Sequence, residues 1–257
     1  MHPEILDYRM KLDLLAFGVH PDDVELSCAG VLLVEQLNGK KAGIIDLTQG
    51  ELGSRGTAAL RTQEAAAASK ILGITVRENL KMADGFFAND EIHQRKVITA
   101  LRKYQPEIIL CNAPTDRHPD HGRSAKLVAD AAFLSGLKKI ETTDNGMEQK
   151  AWRPKYVFNY IQDKFLEPDF VIDITNVFEQ KIEAIKAYGS QFYTQHPADS
   201  AESKEPQTYI STPDFLDSVV YRHKWFGKMI GVKYAEGFIT QKMIGLNNFD
   251  AFIKNNT

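Results

Sequence analysis

Cysteine is scarce in this chain. The two present, Cys28 and Cys111, lie far apart in apolar segments. They read as buried free thiols of a reducing cytoplasm. Neither belongs to a Cys-x-x-Cys pair, so a thiolate zinc site lacks its ligands. Long apolar runs are also missing: none approaches the roughly 20 residues a membrane-spanning helix needs. The stretch from Met1 to Lys11 is polar and mixed in charge, unlike a secretory signal. There is no long basic run, and the formal charge is only -3, which argues against nucleic acid and membrane surfaces as partners. No Gly-x-Gly-x-x-Gly follows the first apolar run, which removes the fingerprint of a nicotinamide-binding dehydrogenase.

What is present is an ordinary globular composition: 257 residues, 43% hydrophobic and 25% charged. That length allows one large domain or two small ones. With no linker and no internal repeat, we read residues 1–257 as one domain.

Leu12 to Val19 is a nearly continuous apolar run, as expected of a strand buried on both faces of a parallel sheet. Helical spacing follows from Val24 to Leu37 and stops at Asn38-Gly39. The same alternation continues. Strands are expected at 42–47, 75–80 and 107–111, with helices at 58–72, 91–104 and 124–136. Further on, strands are expected at 155–162, 170–175 and 234–240, and helices at 177–192 and 214–230. The polar stretch from Thr194 to Pro213 carries no periodicity and reads as a lid or binding loop. The fold class is therefore α/β: a doubly wound, Rossmann-like, mostly parallel sheet with C-terminal elaborations. Ligands of such sheets bind beyond the carboxyl ends of the strands.

Two clusters fall at that edge. His20-Pro21-Asp22-Asp23 follows the first strand, and His118-Pro119-Asp120-His121 follows the strand ending near Cys111. Each has an ordinary explanation taken singly. Asp22 and Asp23 suit a helix N-terminus, and His118 and His121 suit a surface. Matching His-Pro-Asp cores at corresponding strand ends point instead to one composite site. His20 and Asp23, three residues apart with Pro21 at the first helical position, would form a stiff two-ligand platform. His121 can supply a third ligand. Two histidines and a carboxylate with one open position suit a catalytic zinc ion, although iron or cobalt would also bind such donors. Asp22 is left free to take a proton from water. His118 is also spare; held by Asp120 or another carboxylate, it would be a cation able to stabilise an oxyanion or protonate a leaving amine.

The loop Thr48 to Thr57, with Gly50, Glu51, Gly53, Arg55 and Gly56, precedes Arg61. Its glycines allow close approach of backbone to ligand, and arginine binds carboxylate or phosphate bidentately. Glu51, Arg55 and Arg61 are thus candidate substrate contacts, and the alternative is a plain flexible turn. Asp84-Gly85 could reach the same edge or be a simple turn. His2 and His196 read as tail and loop residues, and His93 and His223 as surface residues of helices.

These residues resemble a known family. Ala16 to Glu25 and His118 to His121 look like the two signatures of the LmbE-like, PIG-L-type zinc N-deacetylases. The resemblance runs to Tyr234-Ala235-Glu236-Gly237-Phe238. The loop from Asp46 to Thr57 is similar to the branch acting in bacillithiol biosynthesis. The resemblance implies hydrolysis of an N-acetyl group from an N-acetylglucosaminyl conjugate, in this branch N-acetylglucosaminyl malate. It implies His20, Asp23 and His121 as zinc ligands, Asp22 as general base, and His118 oriented by Asp120. It places Arg61 near the substrate, facing the malate carboxylates. Some relatives carry a tyrosine near the oxyanion where this chain has Phe215, with Tyr209 nearby. A small-molecule substrate, a cytoplasmic location and a homo-oligomer are implied as well. The rivals are the same reaction on a chitooligosaccharide or a glycolipid headgroup, and a non-catalytic sugar- or metal-binding module.

Overall fold

The structure, a computed structural model, describes residues 10–192 and 205–250. His2, His196 and the first part of the 194–213 stretch lie outside the described residues.

A seven-stranded sheet forms the centre. Its order is β3-β2-β1-β4-β7-β9-β8. The strands are β1 (Leu14–Gly18), β2 (Ala42–Thr48), β3 (Val76–Met82), β4 (Ile108–Cys111), β7 (Tyr156–Tyr160), β8 (Phe170–Asp173) and β9 (Ala235–Thr240). The first five in that order run parallel, whereas β9 pairs antiparallel with both β7 and β8. This is the mostly parallel, doubly wound class expected. Every residue of β1 and β2 is buried, which is why β1 reads as an unbroken apolar run rather than an alternating one; β2 buries Asp46 as well, paired with Arg77. A small hairpin, β5 (Thr143–Asp144) with β6 (Met147–Glu148), has no counterpart among the expected elements; two-residue strands carry no period to detect.

The helices are α1 (Asp23–Ser27), α2 (Ala29–Leu37), α3 (Ala58–Leu72), α4 (Glu91–Tyr104), α5 (Pro119–Leu134), α6 (Phe178–Lys186) and α7 (Pro213–Ile230). Apolar side chains from both faces of the sheet pack against them in two large clusters. Three boundaries differ from expectation. The single helix expected over 24–37 is broken at Cys28, whose φ of -140° and ψ of 9° leave the helical range. The helix expected at 177–192 ends at Lys186. The one expected at 124 starts at Pro119, because His118 caps it and Pro119 occupies the first turn.

His223 is corrected more strongly: it is 1% exposed, not a surface residue. It lies on the stripe Phe215, Val219, His223, Phe226 that α7 turns inward. Its Nδ1 faces the Val219 carbonyl at 2.6 Å, and burial pushes its pKa well down. His93 is half-buried beside Asp90, 2.7 Å from Nδ1.

β1 lies between β2, reached on one side, and β4, reached on the other. The chain therefore changes direction at β1, and a crevice opens past its carboxyl end. The loops after β1, β2, β3 and β4 all reach that edge.

Candidate active site

Gly18 ends β1, and the chain then turns so tightly that Asp23 returns to it. A Cβ on Gly18 would lie 3.1 Å from Cβ of Asp23. Asp23 Oδ2 accepts hydrogen bonds from the amides of Val19 (2.9 Å) and His20 (3.1 Å) and from Asn112 Nδ2 (2.9 Å). Its Oδ1 accepts from Gln162 Nε2 at 2.6 Å. The carboxylate is thus fixed from β1, β4 and β7 together. Pro21 does not open the helix as expected; α1 starts two residues later, with Asp22 at the N-cap. Asp22 has φ 134°, a conformation that costs a non-glycine residue about 1–3 kcal/mol. The kink sends neighbouring carboxylates to different tasks.

His20, His118 and His121 meet around one point. Ring centroids are 4.8 Å apart for His20 and His118, 5.8 Å for His20 and His121, and 5.3 Å for His118 and His121. Each offers a nitrogen, and the three nitrogens lie within 4.8 Å of one another. Asp23 sits between two of the rings: Oδ1 is 3.4 Å from His121 Nε2, and Oδ2 is 3.9 Å from His20 Nδ1. Ligand bonds of about 2.1 Å at tetrahedral angles put donor atoms about 3.4 Å apart. Asp23 stands near that spacing from both His20 and His121, so these three residues could hold a small divalent cation, with His118 as a further nitrogen at the same point.

The far nitrogens of the two rings support that fit. His20 Nε2 is 2.9 Å from Asp84 Oδ1, and His121 Nδ1 is 2.6 Å from Asp116 Oδ2. Carboxylates behind ligand imidazoles hold them in orientation and raise their basicity. Asp84 is itself held, because its Oδ2 accepts the Leu52 amide at 3.1 Å. Asp116 Oδ1 accepts the Lys164 amide at 2.6 Å.

The electrostatics follow from burial and neighbours. For Asp23, burial works against ionisation, but His121 and His20 outweigh it and hold the carboxyl well below the usual range. For His121, burial favours the neutral ring, but Asp23 and Asp116 lift it to about 10. Asp22 behaves oppositely: burial, only partly opposed by Arg61, raises its carboxyl to about 7. Arg61 Nη2 lies 3.6 Å from Asp22 Oδ2.

Two expectations about the second cluster are corrected. The Asp120 carboxylate does not hold His118. It accepts the Gly85 amide at 2.8 Å and pairs with Arg123, so it anchors the Asp84-Gly85 turn. The contact with His118 is made by the Asp120 backbone amide, 3.3 Å from Nδ1. Nor is His118 kept cationic: burial, with repulsion from His20 and His121, lowers its pKa.

An open cavity of about 270 Å³ lies over these groups, near the lower end of the ~300–1,000 Å³ typical of small-molecule sites. Arg55 and Arg61, candidate substrate contacts from the sequence, line it, and so does Tyr209. Gly50 makes room for Arg61: it has φ +64°, and a Cβ there would lie 1.9 Å from Arg61 Nη1. Glu51 is elsewhere. Its carboxylate accepts the Asp84 amide at 2.9 Å and the Gln49 amide at 3.2 Å, so it ties the loop after β2 to the turn after β3. Phe215 lines the cavity, with the Tyr209 ring edge-on to it at 5.5 Å. Tyr209 OH donates to Asp163 Oδ1 at 3.2 Å.

Asp116, Asn112, Gln162 and Arg222 are site residues that sequence reasoning missed. Asn112 and Gln162 closely follow apolar strands, and that position was a usable signal. Asp116 lies in the same loop as His118. Arg222, inside a long helix, carries no such mark.

The carboxyl edge of this α/β sheet thus gathers three histidines, an aspartate among them and a separate buried carboxyl, the donor and acid–base groups that metal-assisted hydrolysis uses. Comparison with known proteins agrees. Residues 15–132 match the family model described as PIG-L, GlcNAc-PI de-N-acetylase. A diacetylchitobiose deacetylase of Thermococcus kodakarensis is 26% identical over 236 residues, covering 87% of this chain and 81% of the relative. The solved structure of the conserved protein TT1542 from Thermus thermophilus is 33% identical. It has a TM-score of 0.79 and covers 92% of this chain and 98% of that one. The N,N'-diacetylchitobiose deacetylase of Pyrococcus horikoshii shares the fold, with TM-score 0.72 and 24% identity over 88% of this chain and 82% of that one. The chain belongs to the PIG-L/LmbE-like deacetylase family. Among the described residues, no helix is long and apolar enough to cross a membrane.

Proposed function

We propose that this protein hydrolyses the N-acetyl group of an N-acetylglucosaminyl conjugate, with Asp22 as general base. The observation that carries this reading is the division between two adjacent carboxyls. Asp23 is held as an anion among His20 and His121, whereas Asp22 is buried beside them, belongs to no ligand set, and titrates at about 7. A carboxyl of that pKa exchanges protons readily near neutral pH.

His20, Asp23 and His121 are the residues that would hold a divalent ion, zinc or iron by donor type. When bound, such an ion supplies Lewis acidity at the acetyl carbonyl and acidifies water. Asp22 takes a proton from the water that adds to the carbonyl carbon. The carbon–nitrogen bond then breaks, the amine leaves with the proton Asp22 has held, and the acyl part leaves as acetate. His118 is suited to the carbonyl oxygen. The Asp120 amide occupies Nδ1, so the neutral ring carries its proton on Nε2 and can donate it as a hydrogen bond. With Phe215 where some relatives have tyrosine, no hydroxyl from that position shares the task. Arg61 steadies the charge that Asp22 carries before it takes the proton and again after it has given it up.

Two substrates are in view. The loop after β2 and the arginines lining the cavity support an acidic conjugate such as N-acetylglucosaminyl malate. The relative that acts as a diacetylchitobiose deacetylase supports a chitooligosaccharide. Acetate release from each, with and without a chelator, tests the reading. We expect chelator-sensitive release from at least one; acetate release from neither, at full metal occupancy, would refute it.

A further inference from the structure

Four arginines line the cavity: Arg55, Arg61, Arg117 and Arg222. Three have a carboxylate within ion-pair range. Arg55 lies 3.7 Å from Glu205, Arg61 3.6 Å from Asp22, and Arg117 3.0 Å from Asp163. Arg222 has none among the described residues. Its Nη2 donates to the Leu26 carbonyl at 3.1 Å, and its buried Nε has no hydrogen-bond partner among them.

The nearby acids are already committed. Asp163 holds Arg117 and Tyr209, and Asp116 holds His121 and the Lys164 amide. Their distant pull does not make up for burial, which brings the guanidinium pKa down to about 10. A cation left unpaired in a partly buried place is unfavourable unless something else answers it. Here the open side is the cavity, and Phe215, two turns earlier on α7, lines the same wall. An arginine so placed offers a planar fork of donors matched to a carboxylate.

We propose that Arg222 is a substrate-site residue that seats a carboxylate of the molecule in the cavity. Two sources share that chemistry: an acidic substituent on the sugar conjugate, and the acetate set free. Naming those sources rests on the deacetylase reading; the seat itself does not.

The test compares the metal-loaded wild type with Arg222→Met, which keeps the apolar stem, and Arg222→Lys, which keeps the charge. Binding of L-malate and of acetate is measured by titration calorimetry. Arg222→Met should weaken binding of at least one anion by about 10–100-fold, with partial recovery in Arg222→Lys, as for loss of a charge-assisted hydrogen-bonded pair. If the seat serves an acidic substituent, kcat/KM falls more on N-acetylglucosaminyl malate than on diacetylchitobiose, mainly through KM. If it serves acetate, product inhibition by acetate weakens equally on both substrates. Either result supports the seat. Wild type and Arg222→Met binding both anions alike, or the wild type binding neither, would overturn it. Failure of the deacetylase reading shows separately, as no acetate released by the wild type from either substrate, and leaves the binding measurement decisive for Arg222.

Discussion

Two regions of this molecule bury charge, and they do so to opposite ends. In the first, Lys181 on α6 meets Glu236 on β9 at 2.6 Å, both side chains fully buried. The same carboxylate accepts the amides of Gly30 (2.9 Å) and Val31 (2.7 Å) at the start of α2. The charges there answer one another, and the network joins a late strand to an early helix. In the second, at the carboxyl edge of β1 and β4, Asp22 is lifted to about 7, and Arg222 is left without a carboxylate partner among the described residues. Burial of charge alone therefore does not mark a site. What marks it is incomplete satisfaction facing a cavity.

The sharpest way to break this comparison is Asp22→Ala. Loss of a general base should lower kcat by about 10²–10⁴-fold while metal content, read by elemental analysis, stays at the wild-type value. Loss of metal together with activity would put Asp22 among the ligands. The closed network should answer differently. Lys181→Met leaves a buried carboxylate uncompensated and should lower stability by about 3–5 kcal/mol in denaturant unfolding, with metal stoichiometry unchanged in the fraction that folds.

Asp22 also makes a stability prediction for the metal-free protein. A carboxyl that titrates at about 7 when folded, against 3.8 when free, holds its proton more tightly in the folded chain. Its contribution favours folding below 3.8 and is lost as pH rises through 7. Above that, the buried charge costs up to about 4 kcal/mol. Asp22→Asn should therefore stabilise the metal-free protein at pH 8 and hardly change it at pH 4. Equal effects at both pH values would deny the raised pKa. The smallest effect should come from Asp84→Asn, which keeps the shape behind His20 but not the charge. Metal affinity should fall by about 10–100-fold, measured by competition with a chelator, and unchanged affinity would remove Asp84 from the support of that ring.

Much of this was legible in the chain itself. The strand runs up to Gly18 and Cys111 revealed a parallel sheet, because strands covered on both faces cannot alternate. The two His-Pro-Asp clusters showed themselves because topology sends loops after parallel strands to one edge. The hydrogen-bond bookkeeping was not legible. Asp120 and Glu51 carry the right chemistry for a site, yet each spends its carboxylate on a neighbouring loop, at Gly85 and Asp84 respectively. Which acid holds a loop and which faces a ligand depends on a few ångströms that no spacing rule encodes. His223 was misplaced for a related reason: a polar residue on an inward stripe looks exposed until its neighbours are counted.

The backbone at residue 22 has one more consequence. Its φ of 134° means that the main chain already sets the direction of the Cα–Cβ bond from which this carboxyl projects. Asparagine has the shape of the acid without its charge, so an amide replacement should inherit the same aim and remain a faithful silent copy. Glutamate at this position would keep the acid but overshoot by one methylene from an already wound support. Chemists wishing to trap an uncleaved substrate in this protein therefore have a natural choice in the amide, and protein engineers have a warning against the longer acid.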